Sequence, residues 1–179
     1  LGFDDCRFTT AEAPGSAKAF EKWVGEGWQG EMAYLARNAH KRVDLSRVLQ
    51  GVRSVVVLGV NYGPLSDSAR AVNQQAKGTI ARYARFSDYH KILGEKLNEL
   101  TKFINELGGQ GTQSLWYVDT GPVLERDLAQ RAGLGFVGKH TNLIHRGLGN
   151  WLFIAEVLTT LSLEPDPPQK NRCGTCTKC

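Results

Sequence analysis

Three of the four cysteines in this 179-residue chain are crowded at its C-terminal end. They are Cys173, Cys176 and Cys179, each separated from the next by two residues. Thiolates at this spacing, with small residues such as Gly174 and Thr175 between them, can wrap one corner of a [4Fe–4S] cluster. Structural zinc sites more often use two separated Cys-x-x-Cys pairs. We therefore predict an iron–sulfur site that still needs a fourth ligand.

Asp119 is the second candidate for chemistry, because it directly follows the apolar run Leu115 to Val118. A carboxylate at the end of a strand, just before a sharp turn, is well placed to meet a ligand. Asp119 could equally cap the helix that Pro122 is expected to open. The two roles can coexist, with Arg126 able to orient or pair with the carboxylate and Glu125 expected to be structural.

Two other stretches resemble known ligand-binding motifs, but the residues in and around them argue against that interpretation. The segment Gly133 to Gly138 matches G-x-G-x-x-G, but a dinucleotide-binding loop must follow a strand and open a helix. Here the motif follows a predicted helix, so its glycines are expected to permit close approach of the backbone to another element or a flat ligand. Asp88-Tyr-His90 begins a D-x-H-x-x-G pattern that can ligate cobalt, but Leu93 stands at the glycine position. We therefore interpret His90 as a surface or capping residue.

The elements that must position these side chains follow from hydrophobic spacing. Between a cap at Ser87 or Asp88 and a stop at Gly108, apolar residues recur every three or four positions, which predicts a long helix. Continuous apolar runs predict buried strands at 54–62 and 115–118. The other predicted elements are helices at 16–27, 31–38, 47–50 and 123–132, a surface excursion at 63–78, and a strand pair formed by 143–145 and 151–158.

These elements predict an α/β fold in which helices flank a central sheet over residues 1–161. A proline-containing linker then begins at Ser162, and residues 162–179 hold the start of a second, truncated unit with the cysteines. Because residue 1 is Leu rather than Met and the sequence stops on Cys179, we expect that a longer chain was trimmed or is only partly ordered.

The composition excludes several classes of protein. With 41% hydrophobic and 22% charged residues the chain is neither disordered nor fibrous. No apolar run approaches the roughly 20 residues that span a membrane, so we expect no membrane partner and a cytoplasmic location. The net charge of +4 is small for a dedicated nucleic-acid binder. The basic cluster at Arg82 and Arg85 is compatible with an anionic ligand or with a solvated surface.

An ordered set of motifs extends along nearly the whole chain. They are Gly30-x-Met32-x-Tyr34-Leu35, Arg42-x-Asp44, Ser54 to Tyr62, Ala81 to Arg85, Asp88 to Lys91, Val118 to Arg126, Ala132 to Lys139 and the three-cysteine motif. Together they resemble the epoxyqueuosine reductase family, the cobalamin- and iron–sulfur-dependent enzymes of tRNA queuosine maturation. The resemblance implies a cobalamin-binding α/β domain, a two-cluster ferredoxin-like domain after it, and usually a helical tRNA-binding extension. The ligands of the second cluster and this extension are missing from the sequence.

The resemblance also implies roles for individual residues. Asp119 corresponds to the proposed proton donor, with Arg126 beside it in the catalytic motif. Cys173, Cys176 and Cys179 match three ligands of the first cluster. The residues implied in binding cobalamin are Arg42, Arg82, Tyr83, Asp119, Lys139, His140, Thr141, Asn142, Leu143 and Ile154.

The implied reaction is reduction of epoxyqueuosine to queuosine in tRNA by cob(I)alamin, with electrons passing from an external donor through [4Fe–4S] clusters. Loss of the epoxide oxygen as water needs two electrons and an acid, a role that Asp119 could fill. Three alternatives stay open. They are a corrinoid iron–sulfur enzyme related to reductive dehalogenases, a non-catalytic corrinoid-binding or trafficking protein, and a zinc-dependent nucleic-acid-binding module.

Overall fold

The computed structural model describes residues 1–63, 78 and 80–177. Its main sheet has four antiparallel strands in the order β1-β2-β6-β3, and a second sheet pairs β4 with β5. The strands are β1 (Asp5–Thr10), β2 (Ser54–Asn61), β3 (Ser114–Val118), β4 (Phe136–Val137), β5 (Leu143–Ile144) and β6 (Leu152–Thr159).

Helices cover both faces of the main sheet. The helices are α1 (Ala17–Gly25), α2 (Ala33–Arg37), α3 (Ala39–Arg42), α4 (Tyr89–Gly108) and α5 (Glu125–Arg131), with single 3-10 turns at Leu45–Arg47 and Arg82–Arg85. Leu93 and Leu97 of α4 pack on one face with Val56 of β2. Leu128 of α5 packs on the other face with Val57. The predicted α/β fold with helices flanking a central sheet is therefore confirmed.

Local sequence signals predicted the interior elements well and the peripheral ones less well. The strand predicted at 54–62, the strand at 115–118 and the long helix all form, and the Asp88 side chain caps α4 by accepting a hydrogen bond from the His90 backbone N–H. Strand β1 was not predicted, because it lies at the edge of the sheet, and Thr9 is its one buried residue. The predicted surface excursion at 63–78 falls almost wholly outside the described residues.

The predicted pairing of segment 143–145 with segment 151–158 is wrong. Leu143 and Ile144 pair with β4 instead. Segment 151–158 enters β6, which pairs with β2 along its whole length and with β3 from Ala155 to Thr159, so the two segments lie in different sheets. The turn between the two segments is closed locally by an isolated bridge between His145 and Gly149.

The glycine-rich segment is held by close contacts with other parts of the backbone. Gly133 has a φ of 79°, and a Cβ atom there would overlap the carbonyl oxygen of Pro167. A Cβ atom on Gly135 would lie 2.6 Å from the carbonyl oxygen of Ile144. These glycines therefore permit close approach to other elements. The segment after β6 is tied to the domain as well, because the Asp166 carboxylate accepts a hydrogen bond from the Phe8 backbone N–H at 2.8 Å.

Within the described part of the chain, every helix is too short or too polar to cross a membrane.

Candidate active site

Asp119 lies directly after β3, in a backbone conformation that L-residues rarely adopt. Its φ is 59°, and such left-handed geometry at a residue other than glycine costs about 1–3 kcal/mol. The Tyr89 hydroxyl donates a hydrogen bond to Asp119 Oδ2 at 2.6 Å. Asp119 Oδ1 accepts no hydrogen bond from any described residue, so this oxygen is available to a ligand.

The expectation that Asp119 caps a helix at Pro122 is wrong. Helix α5 begins only at Glu125, with Leu124 as its N-cap residue. The chain stays non-helical up to that point because the Val123 side chain is buried in the core and its carbonyl oxygen accepts a hydrogen bond from Arg42 at 2.8 Å. Asp119 is thus not used as a helix cap.

Arg126 does not pair with Asp119. Its Nη1 atom donates to the carbonyl oxygen of Thr141 at 2.6 Å. Thr141 has a φ of 70°, and with Asp119 it completes the set of described non-glycine residues with positive φ. Strained backbone of this kind clusters at functional sites, and Arg126 holds one of the two strained residues in place.

Two cavities meet at Asp119, and both are also lined by Glu125 and Arg126. The first, here called the aromatic cavity, has a volume of about 590 Å³ and is lined by Tyr62, Tyr83, Tyr89, Trp151 and Phe153. The second, here called the arginine cavity, has a volume of about 620 Å³ and is lined by Phe20, Trp23, Arg42 and Thr141. Volumes in this range suit sizeable organic ligands.

One wall of the aromatic cavity is a stack of three rings. The Phe153 ring lies 4.3 Å from that of Tyr62 and 4.1 Å from that of Tyr89, and both pairs are nearly parallel. The three residues come from β6, from the end of β2 and from the start of α4, so sequence analysis did not group them. Because the faces of these rings pack against one another, the stack gives the cavity a firmly packed apolar wall.

His90 lies closer to Asp119 than its interpretation as a surface or capping residue suggested. The His90 Nδ1 atom is 2.8 Å from Asp88 Oδ1, and the ring stacks on Tyr89 at 4.1 Å. Its Nε2 atom is 3.9 Å from Asp119 Oδ2, too far for a hydrogen bond. His90 is therefore a neighbour of the carboxylate that is oriented by Asp88.

Two further carboxyl groups are close enough to Asp119 for its charge to act on them. Burial raises the pKa of Glu125 to about 7, with a further contribution from the charge of Asp119, against the opposing charges of Arg42 and Arg126. Burial also raises the pKa of Glu156 well above its ordinary value. Glu125 was expected to be structural, and Glu156 was missed. A single acidic residue inside the apolar run Ile154 to Leu158 was the available signal.

The structure brings only some of the predicted cobalamin-binding residues to these cavities. Arg82 lies at an adjoining apolar pocket, where its Nε atom donates to the Tyr62 carbonyl oxygen at 2.6 Å. His140 accepts a hydrogen bond from the Asn142 backbone N–H at its own loop and lines neither cavity. The residues that do line the cavities are Tyr83, Asn142, Leu143 and Ile154 in the aromatic cavity, Arg42 and Thr141 in the arginine cavity, and Asp119 in both.

Lys139 points instead toward the cysteine segment. Its Nζ atom donates to the carbonyl oxygens of Gly174 and Cys176, each at 2.9 Å. Cys173 and Cys176 have free thiols in one tight turn, closed by a backbone hydrogen bond of 2.9 Å between them. Cys179 lies outside the described residues. In the described ranges, no three His, Cys, Asp or Glu side chains are grouped to hold a metal ion.

Comparison with known proteins connects this arrangement to a family. The family described as "Epoxyqueuosine reductase QueG, DUF1730" matches residues 42–120. An epoxyqueuosine reductase from Gloeobacter violaceus is 40% identical over 181 residues, which cover 100% of this chain and 54% of the relative. Over its whole length the chain is similar to epoxyqueuosine reductases. It spans about half the length of the curated relatives that it matches.

Solved structures agree with this similarity. An epoxyqueuosine reductase from Bacillus subtilis, whose catalytic aspartate loop is swung out of the active site, matches with a TM-score of 0.82 and 28% identity. An epoxyqueuosine reductase with an epoxyqueuosine-modified tRNA-Tyr stem loop matches with a TM-score of 0.80 and 31% identity. Each match covers 99% of this chain and 47% of the other chain. The resemblance inferred from the motifs is therefore confirmed.

Proposed function

We propose that this chain forms the cobalamin-binding, proton-donating part of an epoxyqueuosine reductase, which reduces epoxyqueuosine in tRNA to queuosine. The observation that carries this proposal is the position of Asp119, which has a strained backbone and lines both large cavities, with one carboxylate oxygen that accepts no hydrogen bond from the described residues. The related structure with an epoxyqueuosine-modified tRNA stem loop supports tRNA as the partner.

The proposed reaction consumes two electrons and two protons. The epoxide loses its oxygen as water and becomes an alkene. Cobalamin, when bound, supplies a strongly reducing cobalt centre. The apolar wall of stacked rings formed by Tyr62, Tyr89 and Phe153 and the volumes of the two cavities fit a large organic macrocycle of this kind. Arg42, Arg82, Tyr83, Asn142, Leu143 and Ile154 would hold it, together with the loop that carries Lys139, His140 and Thr141.

Asp119 is the proposed proton donor. The Tyr89 hydroxyl donates to Oδ2 and so orients the carboxyl group, which leaves Oδ1 to face the departing oxygen. Burial and the hydrogen bond to Asp119 raise the pKa of Tyr89, so this phenol keeps its proton and remains a donor. Arg126 would act on the same site by holding the Thr141 loop against it.

The cysteine segment is the proposed entry point for electrons. Cys173, Cys176 and Cys179 would bind part of a [4Fe–4S] cluster, and thiolates are the ligands that iron–sulfur clusters prefer. Residues 1–161 would form the cobalamin-binding domain and residues 162–179 the start of a ferredoxin-like unit. An external donor would supply the electrons, and the tRNA substrate favours a cytoplasmic location.

The test is Asp119→Asn in the chain loaded with cobalamin. A low-potential chemical reductant and an epoxyqueuosine-modified RNA stem loop are added, and the product nucleoside is identified by mass spectrometry. We expect cobalamin binding, followed by absorption, to be unchanged, while turnover falls by about 10²–10⁴, as for loss of a general acid. Glu99→Gln, an exposed carboxyl on α4, is the matched control. Near-normal turnover in Asp119→Asn would contradict the assignment.

A further inference from the structure

Glu156 is a fully buried carboxyl group that has no role in the proposed reaction as described above. It lies in the middle of β6, paired with Val57 on one side and Tyr117 on the other. Its exposed fraction is 0%, and neither carboxylate oxygen has a hydrogen-bond partner. An ionised carboxylate in such a place would carry a large uncompensated cost of desolvation. Glu156 is therefore protonated.

Glu125 lines both cavities, and it is close enough to Glu156 for their charges to interact. It is partly buried at the start of α5, and its Oε1 atom is buried without a partner. With a pKa of about 7, Glu125 is the one of these carboxyls poised to exchange a proton near neutral pH. The surrounding titratable and charged groups are Asp119 and Tyr117 from β3 and its loop, Tyr89 from α4, Arg42 from α3, and Arg126 from α5.

The stoichiometry of the proposed reaction gives these groups a role. Two protons are consumed for each epoxide, whereas a single carboxyl group delivers one before it must be reprotonated. We propose that Glu125 is a proton store beside Asp119, which reloads Asp119 between the two protonation steps, while Glu156 stays neutral and adds no negative charge to the site. This inference rests on the proposed function, because it takes the requirement for two protons from it.

The proton transfers balance without further reactants. Asp119 gives its proton to the oxygen of the opening epoxide and becomes a carboxylate. Glu125 then gives its proton to Asp119 and becomes a carboxylate in turn, facing the positive charges of Arg42 and Arg126. Asp119 delivers this second proton to the departing oxygen, which leaves as water. Glu156 stays neutral, so the site never carries three negative carboxylates. The two electrons come from the reducing cofactor.

The first measurement needs neither cofactor nor substrate. Infrared spectroscopy of the chain detects the carbonyl stretch of protonated carboxyl groups, separate from the carboxylate bands. We expect Glu156→Gln to remove one such band at every pH up to about 8, and Glu125→Gln to remove one that is present near pH 6 and lost near pH 8. Both amides are neutral isosteres of the protonated acids, and Glu99→Gln is the exposed control.

The second measurement is turnover of the cobalamin-loaded chain against pH. Glu125→Gln should lower turnover by about 10²-fold and remove the decline in turnover as the pH rises through 7. Glu125→Asp should keep part of the turnover and part of this pH dependence. If neither variant loses an infrared band while the wild-type chain turns over substrate, the proton store is wrong and the proposed function stands. Loss of the bands with wild-type turnover in Glu125→Gln would overturn the reloading step. Absence of turnover in the wild-type chain would overturn the proposed function and, with it, the reloading step.

Discussion

Replacing Glu125 by Gln should stabilise the protein above neutral pH. The pKa of Glu125 rises from an ordinary value of 4.5 to about 7 on folding. Between these values the unfolded chain releases the proton while the folded chain retains it, so the stability that Glu125 contributes is complete below about pH 4.5 and lost as the pH rises through 7. One pKa unit corresponds to about 1.4 kcal/mol, so the loss reaches up to about 3 kcal/mol near pH 8.

The assay is urea unfolding followed by tryptophan fluorescence over a range of pH, since the chain contains four tryptophans. The free energies of unfolding of wild type and Glu125→Gln should differ least near pH 4 and most near pH 8, where the variant is the more stable protein. For a domain of this size the expected gain in Tm is about 6–12 °C near pH 8. Titration of groups distant from Glu125 cancels in the difference, and Glu99→Gln reports any general effect of removing a negative charge. If the free energy of unfolding depended on pH in the same way for wild type and Glu125→Gln, the reasoning would be refuted.

Three further changes test the site. Tyr89→Phe removes the hydrogen bond to Asp119 but keeps the stacked ring, so turnover should fall about 10-fold while circular dichroism is unchanged; a much larger unfolding effect would make the hydroxyl structural. His90→Ala should leave the absorption spectrum of bound cobalamin unchanged, because its Nδ1 atom is already engaged and its Nε2 atom faces Asp119; a changed coordination state would mean that this side chain ligates cobalt. Cys173→Ser should reduce the iron bound on anaerobic reconstitution, while Cys6→Ser, at an isolated and exposed thiol, should not; equal iron content in both variants would remove the cysteine motif from the cluster site.

Local patterns in the sequence predicted the central elements because those patterns depend on neighbouring residues alone. The long helix follows from apolar spacing and from the Asp88 cap, and the strand at 54–62 follows from an unbroken apolar run. Asp119 was identified as a candidate from its place after a strand, and the structure adds its strained backbone and its open oxygen. The cysteine spacing predicts an iron–sulfur site, and this stays a prediction, since Cys179 lies outside the described residues.

Only the tertiary structure decided which residues form the site, because they come from segments that are distant in sequence. Tyr62, Tyr89 and Phe153 form one wall although they are far apart in sequence, and the tertiary structure placed Leu143 and Ile144 beside β4 rather than beside β6. The protonation state of Glu156 could not be predicted from the sequence for the same reason. A glutamate in a strand is ionised when its face meets water and protonated when a helix covers it, so its chemistry follows from the packing of α5 on the sheet rather than from its neighbours in the chain.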